Sequence, residues 1–171
     1  LRFDRNSQGE PIGFATAKAL LAAHDDEHCY PEVADILNQD GSKPKSDLQE
    51  LWKRMVFNMC VGNTHDTLDN IGFIRDRDGW RLAPLYSLRP EPISVSRRHH
   101  ATAVTPDCDR PDLSKAIEVC PYFGLTKRKA EQEALHISSF CAQNWEKVAR
   151  EFQADPIEID NMRKAFEQLD L

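Results

Sequence analysis

Apolar residues recur at three-and-four spacing most clearly between Ser46 and Val61, where Leu48, Leu51, Trp52, Met55, Val56 and Met59 fall on one helical face. Ser46 followed by Gln49 has the form of a capping box, and Gly62 ends the run, so the pattern predicts a buried helix from Ser46 to Val61. Upstream, the Ala- and Leu-rich Phe14 to Ala23 predicts a helix. A polar connection, HDDEHC, leads to a second short helix over Tyr30 to Leu37, and Gly41 and Pro44 break the loop after it. Ile71 to Pro84 reads as a β-hairpin turned at RDRDG, and Ile93 to Pro111 as irregular surface chain. Leu113 to Tyr122 is a short helical element. Thr126 opens a long helix with Ala134, Ile137, Cys141, Trp145, Val148 and Phe152 on its buried stripe to about Gln153. Asp155, Pro156 and Glu158 start the last helix, with Ile159, Met162, Phe166 and Leu169 turned inward. The expected fold is mainly α with one small β-hairpin.

Composition narrows the class. The 171 residues suit one domain, 40% of them hydrophobic and 29% charged, as in a folded soluble protein. A net charge of -6 supplies no general attraction to nucleic acid or acidic membranes. No apolar run approaches the roughly 18 residues that span a bilayer, so the expectation is a cytoplasmic protein. Five cysteines without a CxxC pair fit reduced thiols, two or three of them packed as small apolar side chains. The chain opens on Leu1 rather than Met, which suggests a piece of a longer protein.

Candidate chemistry concentrates in GNTHDTLDN, Gly62 to Asn70, a polar loop directly after the buried helix. Phosphoryl transfer needs a carboxylate to orient the acceptor hydroxyl and oxygen ligands to hold magnesium against the phosphates. Kinase-like C-lobes place these on a catalytic loop carrying Asp and then Asn, followed by a hairpin whose exit supplies a second Asp. The same order of helix, loop and hairpin runs here. With RFDR (2–5), YPEVADIL (30–37), RMVFNMCVGNT (54–64), GWRLAPLYSLRPEP (79–92), YFGL (122–125) and MRKAF (162–166), the chain resembles the C-terminal domain of HipA-like serine/threonine kinases, the toxin half of bacterial toxin-antitoxin pairs.

That resemblance implies a protein-kinase-like C-terminal lobe over residues 1–171 and assigns positions to the site. The family loop reads N-T-D-x-H-x-x-N; Asn63, Thr64 and Asn70 match, while His65 stands at the catalytic Asp and Thr67 at the His. The hairpin exit reads A-P-x-Y-D-L; Ala83, Pro84, Tyr86 and Leu88 match, while Ser87 replaces the metal-binding Asp. His65 and its neighbour Asp66 are then the degenerate catalytic positions, Asn63, Asn70 and Ser87 the nucleotide-side positions, and Asn70 the one matched magnesium ligand. ATP and magnesium are the implied cofactors wherever activity survives. A helix-turn-helix antitoxin resembling HipB, or a chain supplying the N-lobe that nothing in this sequence resembles, is the implied partner. The implied target is a protein such as an aminoacyl-tRNA synthetase. The expectation is therefore a catalytically degenerate binding or regulatory module, with an active kinase as the alternative.

Other polar residues have plainer explanations. His65, Asp66 and Asn70 could simply cap backbone groups in a polar loop. Asp69 and Asp78 read as solvated loop and turn residues, Arg97 to His100 as a solvated basic loop, and Lys127 to Lys129 as a basic helix start. His24, His28 and Cys29 could form half a metal site, but no second half follows nearby. No Ser-His-Asp order, phosphate-binding glycine loop or dinucleotide fingerprint occurs.

Overall fold

The computed structural model describes residues 4–23 and 27–171, so His24, and with it half of the His24 and His28 pair, lies outside the described residues. Element order is β1 (Phe14–Thr16), α1 (Ala17–Leu20), α2 (Tyr30–Asp40), α3 (Pro44–Cys60), β2 (Gly72–Arg75), β3 (Trp80–Leu82), α4 (Leu113–Glu118), α5 (Lys127–Glu151) and α6 (Pro156–Met162). Short 3-10 turns occupy Leu68–Asn70, Val95–Arg97, Cys120–Phe123 and Arg163–Phe166.

Helix α3 is the axis. All six residues of its predicted stripe are buried, and it packs against α2, α4 and α5. Trp52 is fully enclosed, and its indole N–H donates to the Ala116 carbonyl at 2.8 Å, so the one polar atom of the largest core side chain is satisfied. The helix starts two residues earlier than expected, with Pro44 in its first turn. Proline presets the helical φ there and lacks the N–H that would otherwise need a cap. Ser46 therefore forms no capping box: its hydroxyl donates to the Lys43 carbonyl at 3.1 Å, and Gln49 accepts from Lys129 Nζ at 3.3 Å.

The N-terminal segment departs from its helical expectation. Phe14–Thr16 forms a strand antiparallel to β2, with Phe14 opposite Ile74 and Thr16 opposite Gly72, so the hairpin is the outer part of a three-stranded sheet ordered β1-β2-β3. Helix is left only to Ala17–Leu20, capped by Thr16, whose hydroxyl accepts from Ala19 N at 3.3 Å. An open sheet edge outweighed the local helix propensity of the following alanines. The hairpin itself is as expected, with Phe73 opposite Leu82 and Arg75 opposite Trp80.

Further along, the apolar stripe of α5 holds through Ala134 and Cys141 and then runs out into solvent. Val148 is 48% and Phe152 84% exposed, contrary to their expected burial. Helix α6 folds back on α5 under the Asp155 and Glu158 capping box, and Trp145 stacks on Phe166 at 4.6 Å between ring centres. The last turn of α5 is left beside an open apolar groove of about 1000 Å³. Four cysteines rather than two or three are buried, Cys29, Cys60, Cys120 and Cys141, and burial pushes the Cys60 thiol up to about 12.

The expected solvated stretch from Ile93 to Pro111 instead threads the interior at Arg98, His100, Thr102 and Thr105. Arg98 explains this. Its guanidinium donates to the carbonyls of Ile93 and Met59, each at 3.0 Å, and to that of Lys164. It thereby adds a second donor to a carbonyl in the last turn of α3, which also accepts from Gly62 N at 3.3 Å, and ties in the C-terminal turn.

Asp47 joins α3 to the sheet. Its carboxylate accepts from Arg81 Nε at 2.7 Å, Arg81 Nη2 at 3.0 Å and Leu82 N at 3.1 Å. Burial alone would raise this carboxyl, but the hydrogen bonds and charge of Arg81 and the Leu82 N–H outweigh it and hold the group below its ordinary value of 3.8. A depressed folded value means the stabilisation is complete above the unfolded value near 3.8 and fades as pH falls through the lower folded one. Urea unfolding of the native chain should therefore weaken below about pH 4. Asp47→Asn should be less stable at neutral pH and show a flatter acid limb; parallel curves would remove this bridge from the account.

Candidate functional site

The loop after α3 is set by a turn only glycine makes easily. Gly62 has φ +66, and a Cβ there would sit 2.8 Å from the Ala165 carbonyl oxygen, so the chain can reverse against the C-terminal turn only without a side chain. Asn63 then locks the loop to the hairpin exit. Its amide donates to Asn58 Oδ1 at 3.1 Å, and its own oxygen accepts from Arg89 N at 3.1 Å.

The next residues divide between Glu91 and the interior. Thr64 donates its hydroxyl to Glu91 Oε2 at 3.0 Å. His65 faces outward, half-exposed, with Nδ1 3.3 Å from Glu91 Oε1. Asp66 faces inward and is only 2% exposed. Its carboxylate accepts from Tyr30 Oη at 2.8 Å and Ala101 N at 3.1 Å, and lies 3.2 Å from His100 Nδ1. Burial, and then the charge of Asp66, push the Tyr30 phenol well above its ordinary range, so it remains a donor. Asn58 Nδ2 donates to the same phenol oxygen at 3.0 Å, extending one buried chain of hydrogen bonds from Asn63 to His100.

Asn70 closes the loop, donating its amide to the His65 carbonyl at 2.7 Å. Tyr86 donates to the Asp69 carbonyl at 2.7 Å and holds the hairpin exit against the loop. Ser87 follows at φ +56, uncommon for a non-glycine residue, with an exposed side chain.

Of the positions expected to act together, Asn63, Asp66 and Asn70 surround one small cavity of about 20 Å³ with Tyr30, Arg54 and Tyr86; His65 and Ser87 do not line it. Asp66 is thus a fixed internal anchor whose carboxylate does not share the outward face of His65. Sequence reasoning missed Glu91, Tyr30 and His100. Tyr30 and Glu91 lie inside motifs already quoted, YPEVADIL and RPEP, while His100 lay in a stretch taken for solvated loop. The expected solvated character of Asp69 agrees with its exposure, apart from a long ion pair with Lys18 at 3.8 Å. Among the described residues, no group of three or more His, Cys, Asp or Glu could hold a metal ion, and no helix is long and apolar enough to cross a membrane.

Comparison with known proteins supplies the class. The family model for the HipA-like C-terminal domain matches residues 1–166, and the chain belongs to that family. Among solved structures it is similar to HipA of Shewanella oneidensis MR-1, determined with HipB and its operator DNA. The TM-score is 0.71 at 15% identity, over 97% of this chain and 47% of that one. The chain therefore spans about half the length of the HipA it resembles. A search of curated proteins returned no match.

Tyr30→Phe tests the anchor. Removing the phenol oxygen strips Asp66 of a donor and Asn58 of an acceptor inside the core, which should cost about 1–3 kcal/mol. Urea unfolding at an unchanged m-value should report it; a loss near zero would mean that the loop does not depend on this chain.

Proposed function

We propose that this domain is a HipA-like C-lobe that no longer transfers phosphate and serves in the cytoplasm as a binding or regulatory module of a toxin-antitoxin-like system. The supporting observation is the state of the loop's carboxylates. At the family's two acidic positions stand an exposed imidazole and an exposed hydroxyl, His65 and Ser87, while Asp66 is held inward by Tyr30, Ala101 N and His100. A divalent cation beside a triphosphate wants anionic oxygen, and the amide of Asn70 with a serine hydroxyl is a poor set for it. These residues do not fit a magnesium-nucleotide site. The related HipA is a complex with HipB and DNA. A HipB-like helix-turn-helix protein is the partner proposed here.

Nucleotide binding decides the matter. A ligand at about 100 times its Kd adds about 2.7 kcal/mol, worth roughly 5–11 °C in a domain of this size. Millimolar ATP with magnesium should leave the melting temperature of the native chain unmoved, and the double variant His65→Asp, Ser87→Asp should acquire a shift. A clear rise in the unaltered protein would overturn the proposal.

One observation favours an active kinase, with its N-lobe on a longer product or another chain. Glu91 lies against His65 Nδ1, which leaves Nε2 as a proton acceptor on the outward face. Such an enzyme would take phosphate from ATP to serine or threonine on a protein such as an aminoacyl-tRNA synthetase. Radiolabelled transfer by the longest native product, lowered about 10²–10⁴-fold by His65→Ala, would establish it; no transfer from that product would end it.

A further inference from the structure

Helix α5 carries an apolar face that its own fold leaves open. Phe140, Asn144, Val148 and Phe152 recur every four residues and line the groove of about 1000 Å³, whose other lining comes from α6 and from Val61 and Pro90. Phe140 is 58%, Val148 48% and Phe152 84% exposed. Phe152 does not stand at a frayed end. Gln153 takes the left-handed φ of +66, and Ala154 N donates to the Ala149 carbonyl at 3.0 Å, a hydrogen-bonded helix close that usually employs glycine. The most exposed ring of the face is thus held out at a fixed place.

The chemistry of this face decides what can cover it. Glu158 is the one charged residue of the lining, and its carboxylate already accepts from Asp155 N at 2.8 Å in the capping box. A partner must therefore be apolar and uncharged at the contact, which describes this stripe itself. The exposed parts of Phe140, Val148 and Phe152 amount to roughly 350 Å², close to half of the about 800 Å² that each partner of an ordinary stable complex buries. A protruding ring beside an open groove supplies on one patch both the knob and the hole that a two-fold contact needs. The flanking charges are also self-complementary. Glu146 and Arg150 pair within the helix at 3.8 Å, whereas Lys147 and Glu151, both exposed on the edge of the stripe, form no ion pair with each other or with any other described residue. Two such helices packed antiparallel turn like edges toward each other, which brings each lysine within reach of the other copy's glutamate.

We propose that this face joins two copies of the chain, α5 antiparallel on α5, with Phe152 of each copy seated in the groove of the other. A two-fold axis near Val148 sets Phe152 of one copy against Asn144 of the other, between Phe140 and Val148, and Lys147 beside Glu151. Val61 and Pro90 belong to the same lining and adjoin Gly62 and Glu91, so the second copy rests against the segments that carry the loop of His65. The proposal goes beyond the module reading and does not depend on whether phosphate transfer survives.

Sedimentation equilibrium of the native chain over about 1–100 µM tests this. The mass should rise from 19.6 kDa toward twice that value. Phe152→Asp, at an exposed position, should weaken association about tenfold or more while leaving the circular dichroism spectrum unchanged. Lys147→Glu should weaken it as well, and adding Glu151→Lys should recover it, because the exchanged charges meet again across the axis. A mass of 19.6 kDa at every concentration, a dimer indifferent to Phe152→Asp, or charge variants that fail to recover in combination would overturn the assignment. A monomer that instead takes up a HipB-like antitoxin, with binding lost in Phe152→Asp, would give the face to that partner and likewise overturn the dimer.

Discussion

The buried carboxylate of Asp66 is the constraint around which this domain is arranged. A carboxylate withdrawn from water needs donors to replace its hydration, and it takes them from α2 through Tyr30, from the chain after the hairpin through Ala101 N, and from the His100 ring. Two segments far apart in sequence, α2 and the chain at His100 and Ala101, are thereby fixed to one loop residue. His65, one residue earlier, meets Glu91 at the surface and takes no part in that network. What the site can do chemically follows from what it must do structurally.

Arg98 has the complementary part. A guanidinium wholly withdrawn from solvent is tolerable only where carbonyls meet its N–H groups, and here they come from the end of α3, from Ile93 and from the C-terminal turn. With His100 two residues on, it turns a stretch of little regular structure into an internal strut. Gly62 allows the close approach by which the loop and the turn near Ala165 share one wall. The loop is consequently backed by fixed groups, as a binding surface requires.

Periodicity made α3 legible because six apolar residues at helical spacing leave one face for the core, and no tertiary contact contradicts it. The motifs around Asn63, Asn70 and Tyr86 were legible for another reason: they mark backbone positions of a family, whatever chemistry their neighbours retain. Phe14 to Thr16 was misread because pairing with Gly72 to Ile74 is invisible to a local window. Val148 and Phe152 continue a helical stripe, yet burial needs a facing element, and α6 does not cover the last turn of α5. Arg97 to His100 reads as hydrophilic by composition, and nothing local distinguishes an arginine that will meet carbonyls from one that will meet water.

This division also bears on how a kinase-like lobe could part with its chemistry and keep its fold. The groups that hold the loop, Asp66, Asn63, Tyr30 and Arg98, are buried and hydrogen-bonded, so replacing any of them strands a partner. His65 and Ser87 are exposed, where substitutions usually cost the fold little. An acidic residue at either position would in fact sit near Glu91 or on a strained turn, and its own contribution to stability would be small or unfavourable. Selection for phosphate transfer would be the force holding carboxylates there. A domain kept for binding has no such requirement, and its architecture would persist on the buried network alone.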